Sequence, residues 1–291
     1  MTGRSDILVI LPAHNEAANL PVVVEELRRA RPGCAALVVD DGSTDGTAEV
    51  AARLGLAVVR HSSNRGYGAA LASGYRYAVE NGYQVVVQCD ADGQHDPAQI
   101  ERLLDALARG CDVAIGSRML GGGGYRPSLP RGIGIRLFAW MGRVLNGPPV
   151  TDPTSGFAAM NRRAATLLQE VNPHDYPDLN VLLLLHKGGF VVREVPVTMR
   201  PRLSGESMTD GLVPFVYVPK MMVYVSRAYA GPVRLRHTRT SPPAVGAGST
   251  AGRRVLLANP PTGLYIREDR CQTPVKGISA SLRFPIDLAY M

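Results

Sequence analysis

The sequence has few of the features expected of a disulfide-rich or zinc-binding protein. Its four cysteines are far apart, none forms a CxxC pair, and none lies in a Cys/His run with zinc-ligand spacing. The six histidines form no HxH or HxxxH pair. Cysteine usage of this kind is typical of a reduced, cytosolic compartment.

Long apolar runs are also missing. A membrane-spanning helix needs about 18–20 uninterrupted apolar residues, whereas the best candidate, residues 212–230, is interrupted by Lys220, Arg227 and two prolines. The N-terminus turns polar at His14, before the longer apolar core and cleavage site of a signal peptide. We therefore expect no transmembrane helix and no secretion.

Most of the chain carries no excess of positive charge. The formal net charge is +7, but residues 1–230 hold 23 basic and 22 acidic side chains, and residues 231–291 hold 9 and 3. Clustered Lys and Arg supply non-specific affinity for nucleic acid, so no nucleic-acid partner is expected for the body of the protein. The apolar fraction of 45% is that of a globular protein.

Two common nucleotide-binding loops are absent. Residues 64–74, NRGYGAALASG, open a predicted helix with glycines at 66 and 68, which allow the backbone to approach a ligand. The third glycine of the dinucleotide fingerprint is missing and the segment does not follow the first strand, which disfavours a Rossmann dehydrogenase. The N-terminus also lacks the glycine-rich loop and Lys of a P-loop NTPase.

Short β-branched runs alternate with helical patterns in the first half of the chain. The predicted buried strands are residues 7–11, 36–39, 57–60, 84–89 and 112–115. After the N-cap candidate Asp96, apolar residues recur with helical spacing at Ile100, Leu103, Leu104 and Leu107. This alternation predicts an α/β fold, with a mainly parallel sheet covered on both faces and ligands bound at the carboxyl ends of its strands.

Composition divides the chain into four parts. Residues 1–210 form the predicted α/β domain, and residues 211–230 form an amphipathic segment suited to a membrane interface or, alternatively, a helix packed on the domain. Residues 231–254 have Pro/Gly/Arg linker chemistry, and residues 255–291 are expected to be a truncated, disordered tail. Within residues 132–142, we expect Phe138 and Trp140 to pack a helix rather than stack on a sugar.

Acidic residues cluster after two of the predicted strands. Asp90 and Asp92, with Gln94 as a neutral donor, offer hard oxygen ligands for Mg²⁺ or Mn²⁺; the alternative is an Asp-rich turn that caps the next helix. Asp40 and Asp41 are adjacent carboxylates whose repulsion calls for a donor such as a base N–H or ribose hydroxyl, which favours nucleoside binding over a structural turn.

Seven segments carry a family resemblance. They are VILPAHNE (9–16), VVDDGSTDGT (38–47), NRGYGAAL (64–71), CDADGQHD (89–96), IGSR (115–118), TDPTSGF (151–157) and EVPVTMRPRLSGES (194–207). Together they resemble family 2 glycosyltransferases, and among these the dolichyl- or polyprenyl-phosphate sugar synthases, over about residues 5–230. The resemblance implies a GT-A fold, a divalent metal and inverting transfer from a nucleotide-diphosphate sugar.

The resemblance also implies roles for individual residues. The nucleoside would be held by Pro12, Ala13, Glu16, Asp40 and Asp41. Metal and diphosphate would be bound by Asp90, Asp92 and Gln94, with Arg202 and Ser207 meeting the donor phosphates or closing over them. A metal and an Arg together offset the charge that develops on a leaving diphosphate.

The acceptor depends on whether a base is needed. A hydroxyl acceptor must lose a proton, for which Asp152 is the candidate base, although Asp152 could equally orient Ser155 and nearby arginines. A lipid phosphate is already anionic and needs cations. Those available around residues 121–124, a predicted mobile acceptor loop, are Arg118, Arg126, Arg131 and Arg136. Asp92, Asp152, Arg118 and Arg131 are therefore the predicted catalytic set.

These observations predict an inverting hexosyltransferase that acts on polyprenyl phosphate, peripheral at the inner face of the membrane. Two alternatives stay open: a transferase for a hydroxyl acceptor, and a non-catalytic nucleotide-sugar-binding protein. A second resemblance links RRVLLANPPTGLYIREDRCQTP (253–274) to the start of cobalamin-binding radical S-adenosylmethionine proteins, but no CxxxCxxC motif accompanies it and we assign it no activity.

Overall fold

A computed structural model describes residues 6–120, 129–145, 147–171, 178–203, 221–223, 225–226 and 265–267. The strands are β1 (Ile7–Ala13), β2 (Ala35–Asp40), β3 (Ala57–Arg60), β4 (Val85–Gln88), β5 (Val113–Ser117), β6 (Ala158–Asn161), β7 (Val192–Pro196) and β8 (Tyr265–Arg267). The helices are α1 (Leu20–Ala30), α2 (Thr47–Arg53), α3 (Tyr67–Glu80), α4 (Ile100–Ala108), α5 (Leu129–Val144), α6 (Arg162–Val171) and α7 (Leu179–Lys187).

The strands form one sheet in the order β7-β5-β6-β4-β1-β2-β3-β8. Neighbouring strands are parallel except at β6, which runs antiparallel to both β4 and β5. All five strands predicted from the sequence are present, and the prediction of a mainly parallel sheet is confirmed. β6, β7 and β8 were not predicted.

Alternate residues of β1 point into two separate cores. Val9 and Leu11 belong to a core formed with α1, α2 and α4, whereas Leu8 and Ile10 belong to one formed with α3, α6 and α7. All four side chains are essentially inaccessible to solvent. Because successive side chains of a strand leave opposite faces of the sheet, both faces are covered by helices, as predicted.

The helix predicted after Asp96 forms as expected. The Asp96 carboxylate accepts a hydrogen bond from the Ala98 N–H, and one 3₁₀ turn, Pro97–Gln99, leads into α4. The apolar face of α4 packs on the core at Ile100 and Leu103. The structure thus places Asp96 at a helix start and leaves Asp90 and Asp92 outside that helix.

A third, smaller apolar cluster lies between α5, α7 and the helical residues 221–223 and 225–226. Its buried members are Phe138, Met141, Leu179, Leu183, Met221 and Val225. The packing predicted for Phe138 is confirmed, but the packing predicted for Trp140 is wrong, because its side chain is 60% exposed. Within the described ranges, no helix combines the length and apolar character needed to span a bilayer.

The C-terminal parts predicted from composition are described only in small pieces. Of the segment 211–230, the description covers residues 221–223 and 225–226, where Met221 and Val225 pack on the domain. The linker 231–254 lies outside the described residues. Within the tail expected to be disordered, β8 pairs in parallel with β3, and the prediction for the rest of the tail stays a prediction.

Candidate functional site

The site lies where β1, β2 and β4 end. Register pairs Ala13 of β1 with Asp40 of β2 and Ile10 of β1 with Gln88 of β4, so the loops that follow these strands leave the same edge of the sheet. The Asp41 N–H donates to the Ala13 carbonyl, which continues the pairing past the end of β2. This edge therefore holds Pro12, Ala13 and the acidic groups predicted from sequence.

The loop after β1 is held by the turn after β2. The Asn15 N–H donates to Ser43 Oγ, and the Glu16 N–H donates to Thr47 Oγ1. Glu16 is buried, and desolvation raises the pKa of its carboxyl group although Asn19 donates a hydrogen bond to it. The residues that follow β2 thus fix the backbone of Glu16 and place it at the site.

Asp40 is fully buried and has partners inside the protein. One carboxylate oxygen accepts a hydrogen bond from the Ser43 N–H. The other lies 3.1 Å from Arg60 Nε, close enough for an ion pair but not aligned as a hydrogen bond. The carboxylate of Asp40 thus has a hydrogen-bond donor and a cation inside the protein and does not depend on a nucleoside for its partners.

The carboxylate of Asp41 also has its hydrogen-bond partners inside the protein. Its Oδ1 lies 2.6 Å from His61 Nδ1 and accepts a hydrogen bond from the Arg65 N–H, while its Oδ2 accepts one from the Gly66 N–H. His61 in turn contacts Ser73 Oγ at 2.9 Å. Asp41 thus fixes the loop that leads into α3, and it too has donors without a ligand. Any role of Asp40 and Asp41 toward a nucleoside stays a prediction.

Asp92 is the more buried of the two metal-ligand candidates, with a side chain 5% exposed. Its Oδ1 accepts the Gln94 N–H, and its Oδ2 lies 2.9 Å from Arg202 Nη2. Burial raises the pKa of Asp92, and the charge of Asp90 raises it further. Arg202 also lies 3.3 Å from Glu16, so one guanidinium links the end of β1 with the loop after β4.

Asp90 is more accessible, with a side chain 26% exposed. Its Oδ1 accepts a 2.7 Å hydrogen bond from Tyr67, and its Oδ2 lies 3.6 Å from His95 Nε2. His95 is held by a hydrogen bond from the Asp90 N–H to its Nδ1 and by stacking on Phe157. The prediction that the two aspartates lie together at a strand end is met.

The residues present suit a hard cation that takes only part of its coordination from protein. In the part of the chain that the structure describes, no three His, Cys, Asp or Glu side chains are arranged to hold a metal. Asp90 and Asp92 nevertheless offer carboxylate oxygens, and their mutual repulsion raises the pKa of Asp92. Mg²⁺ and Mn²⁺ bind through one or two carboxylates with water and phosphate oxygens completing the shell, so the pair fits such an ion.

Asp152 and Arg118 form a buried ion pair on the other side of the site. Asp152 Oδ2 accepts hydrogen bonds from the Arg118 backbone N–H and Nε, and Oδ1 accepts from Arg118 Nη2 and Thr154 Oγ1. The Asp152 side chain is 0% exposed. A carboxylate has about four hydrogen-bond acceptor positions, and all of them are filled here. This arrangement matches the alternative in which Asp152 orients its neighbours, and it leaves neither carboxylate oxygen free to accept a proton as a base.

Glu194 on β7 supports this pair and was not singled out from the sequence. It accepts hydrogen bonds from the backbone N–H groups of Thr151 and Asp152 and from the Thr151 hydroxyl. Tyr67 and His61 were missed in the same way. The signal for Glu194 was a lone acid in an apolar strand, but nothing local to Tyr67 or His61 indicates its distant partner.

The remaining predicted residues are only partly described. Ser207 and Arg126 lie outside the described residues. Arg131 belongs to α5, though its side chain is not described, and Arg136 is exposed on the same helix. Within the described residues, the structure brings the residues predicted to bind the donor to one edge of the sheet and pairs Arg118 with Asp152. The predicted clustering of the four arginines stays a prediction.

Comparisons with known proteins identify the family of the chain. The profile of the family described as Glycosyl transferase family 2 matches residues 8–168. Polyprenol monophosphomannose synthase of Mycolicibacterium smegmatis is 38% identical over 214 residues, which cover 70% of this chain and 81% of that protein. Undecaprenyl-phosphate mannosyltransferase of Micrococcus luteus is 36% identical over 71% of this chain and 89% of its own.

A solved structure shares the fold. Glucosyl-3-phosphoglycerate synthase from Mycobacterium tuberculosis, crystallised with Mn²⁺ and UDP-glucose, superimposes with a TM-score of 0.59 over 77% of this chain and 80% of that one, at 23% identity. The resemblance of the tail to radical S-adenosylmethionine proteins finds no support in these comparisons. The chain belongs to glycosyl transferase family 2 and is a glycosyltransferase with the GT-A fold.

Proposed function

We propose that the protein transfers a hexosyl unit, mannose in the first instance, from a nucleotide-diphosphate sugar to a polyprenyl phosphate. The observation that carries the proposal is the saturated carboxylate of Asp152. A sugar acceptor that reacts through a hydroxyl needs a base, and the predicted base, Asp152, has all its hydrogen-bond acceptor positions filled. A phosphate monoester has a second pKa near 6, so its oxygen is already anionic at neutral pH and can attack without a base.

The donor would lie across the ends of β1, β2 and β4. Pro12, Ala13 and Glu16 would line the nucleoside side, and the diphosphate would meet Arg202, which lies 2.9 Å from Asp92. A bound Mg²⁺ or Mn²⁺, held by Asp90 and Asp92 with Gln94 nearby, would neutralise the leaving diphosphate. The Arg202 guanidinium would then pair with the donor phosphates in place of part of its present ion pairing with the carboxylates of Glu16 and Asp92.

In the transfer step, an acceptor phosphate oxygen forms a bond to the anomeric carbon while the bond from that carbon to the nucleoside diphosphate breaks. The electron pair leaves with the diphosphate, and the configuration inverts. Arg118, held in place by Asp152, and the α5 residues Arg131 and Arg136 would neutralise the acceptor phosphate. The relatives named for polyprenol and undecaprenyl-phosphate mannosyl transfer support this acceptor and mannose as the transferred sugar, and we propose GDP-mannose rather than UDP-glucose as its donor.

The test is direct transfer by the full chain. Purified protein with Mn²⁺, undecaprenyl phosphate and radiolabelled GDP-mannose or UDP-glucose should yield a labelled, organic-extractable product with GDP-mannose. Label moved to a glycan or glycolipid hydroxyl but never to the lipid phosphate would contradict the proposal, and so would tight nucleotide-sugar binding with no transfer to any acceptor.

Contact with the membrane is part of this proposal, and α5 offers the surface for it. Its exposed apolar residues follow one another at helical spacing along one face: Ile133, Leu137, Trp140 and Val144. Arg136 and Arg143 are exposed and flank this stripe along one side. An apolar face bordered by basic residues is suited to lie at the surface of an anionic bilayer.

Replacing Trp140 with glutamate should weaken binding to phosphatidylglycerol vesicles by at least about tenfold, because burying a large apolar side chain contributes about 1.5–3 kcal/mol. Co-sedimentation with the vesicles measures the change. Val22→Glu is the matched control, since Val22 is similarly apolar and 45% exposed but lies on α1. Equal loss of binding by both variants would show that α5 is not the contact.

A further inference from the structure

A chain of hydrogen bonds runs from the core of the domain to Asp90. The Tyr75 hydroxyl lies 2.8 Å from Gln88 Oε1, and Gln88 Nε2 lies 2.9 Å from the Tyr67 hydroxyl. Tyr67 then contacts Asp90 Oδ1 at 2.7 Å. Tyr67 begins α3 and Gln88 ends β4, so the chain connects a helix and a strand to the loop that carries Asp90 and Asp92.

The direction of each bond is fixed by its neighbours. An ionised carboxylate only accepts hydrogen bonds, so the Tyr67 proton must point to Asp90. The Tyr67 oxygen then accepts from Gln88, which sets the amide of Gln88 with Nε2 toward Tyr67 and Oε1 toward Tyr75. Every polar atom of the chain is therefore used, with no alternative arrangement that keeps the contact to Asp90.

The chain is buried at its base. Tyr75 is fully buried, and burial raises the pKa of its hydroxyl above the ordinary value for tyrosine. A buried polar network that is fully satisfied holds its members in one arrangement.

Gly156 closes the contact from the side. A Cβ at this position would lie 2.7 Å from the Tyr67 hydroxyl and 3.1 Å from Asp90 Oδ2. The first of these distances is shorter than real Cβ contacts allow. The absence of a side chain at 156 thus leaves room for Tyr67 and Asp90 to meet.

We propose that Tyr67 is a positioning residue, which binds Oδ1 of Asp90 and so turns Oδ2 toward the cation and diphosphate of the donor. The inference rests on the proposed function, because it takes the site to bind a metal–nucleotide. Groups that hydrogen-bond a metal ligand fix its orientation, and their loss typically costs about 10–100-fold in metal affinity. This proposal assigns a role to Tyr67, which lies between Gly66 and Gly68 at the start of α3.

The test is a Mn²⁺ titration of Tyr67→Phe in the presence of GDP. The variant should need at least about tenfold more Mn²⁺ for half-saturation than the wild type, measured from the free Mn²⁺ signal in electron paramagnetic resonance. The Mn²⁺ concentration for half-maximal transfer should rise in parallel, while kcat at saturating Mn²⁺ changes much less. Tyr77→Phe removes a hydroxyl from the same helix and should leave the titration unchanged.

Gly156→Ala provides a second variant that disturbs the same contact while leaving Tyr67 itself unchanged. It should weaken Mn²⁺ binding in the same direction, and it decides the question if Tyr67→Phe does not fold. Wild-type Mn²⁺ titrations for both variants, with transfer intact, would overturn the role of Tyr67 and leave the proposed function standing.

The opposite failure can be recognised as well. Weaker Mn²⁺ binding by both variants, with no transfer from the wild type to polyprenyl phosphate, would support the positioning role and overturn the proposed function. A wild type that binds no Mn²⁺ in the presence of either GDP or UDP would overturn both.

Discussion

An Asp92→Asn variant should lose at least about a hundredfold of its sugar-transfer rate, the loss typical when a group that stabilises developing charge is removed. Asp92 is the buried member of the acidic pair and has Arg202 at 2.9 Å. The amide keeps the shape of the side chain but takes away the charge that would hold a cation beside the leaving diphosphate. Initial rates over a range of Mn²⁺ concentrations measure the loss.

The same variant should be at least as stable as the wild type in metal-free buffer. The pKa of Asp92 is raised in the folded protein, mainly by burial. A raised carboxyl pKa means that folding favours the neutral form, so stability falls as the pH rises from the unfolded pKa through the folded one. Asparagine resembles the neutral form and removes this loss at neutral pH, which thermal unfolding with and without a chelator can measure.

Asp105→Asn is the matched control for this variant. Asp105 is an exposed aspartate on α4, so the same chemical change there should alter neither the transfer rate nor the thermal stability. A wild-type rate for Asp92→Asn would remove Asp92 from the catalytic set.

An Asp152→Asn variant should be destabilised by about 3–5 kcal/mol, because it leaves the buried guanidinium of Arg118 without its charged partner. For a chain of this size, that loss corresponds to a fall in Tm of about 10 °C. Below the unfolding temperature, transfer to a lipid phosphate should be only partly impaired, because no proton has to be removed. Urea unfolding and transfer assays at low temperature measure the two effects.

The exposed pair of Arg29 with Glu25 on α1 is the control. Arg29→Ala should change stability by no more than about 1 kcal/mol, since exposed ion pairs contribute little. If instead Asp152→Asn kept wild-type stability but lost all transfer, Asp152 would be acting chemically, and the alternative with a hydroxyl acceptor would become the better explanation.

Local sequence predicted much of the sheet but not its completion. The strands β1 to β5 are apolar runs next to turn residues, a pattern that needs no distant information. β6 is Ala-Ala-Met-Asn, without a β-branched residue, and its strand conformation depends on its antiparallel pairing with β4 and β5. A four-residue segment of this composition becomes a strand only in the folded context.

In the site, too, the sequence predicted which residues would be there better than it predicted which residues they contact. The acidic residues at strand ends were predictable because motif spacing and strand position are local properties. Their partners were harder to predict, since no local signal linked Asp41 to His61, and Arg118 was one of four arginines that the sequence offered to Asp152. Trp140 shows the limit from the other side, since helical spacing placed it on α5 but could not tell which face of α5 meets the protein.

The support that Glu194 gives to Thr151 and Asp152 has a consequence for biosynthesis. The loops after β1, β2 and β4 all precede residue 97, and domains begin to fold from the N-terminus during synthesis. The loop that carries Thr151 and Asp152 gains its carboxylate anchor only when β7 has left the ribosome. A nascent chain that ends before residue 194 therefore already contains Arg118 and Asp152 but lacks the carboxylate that holds the backbone beside them.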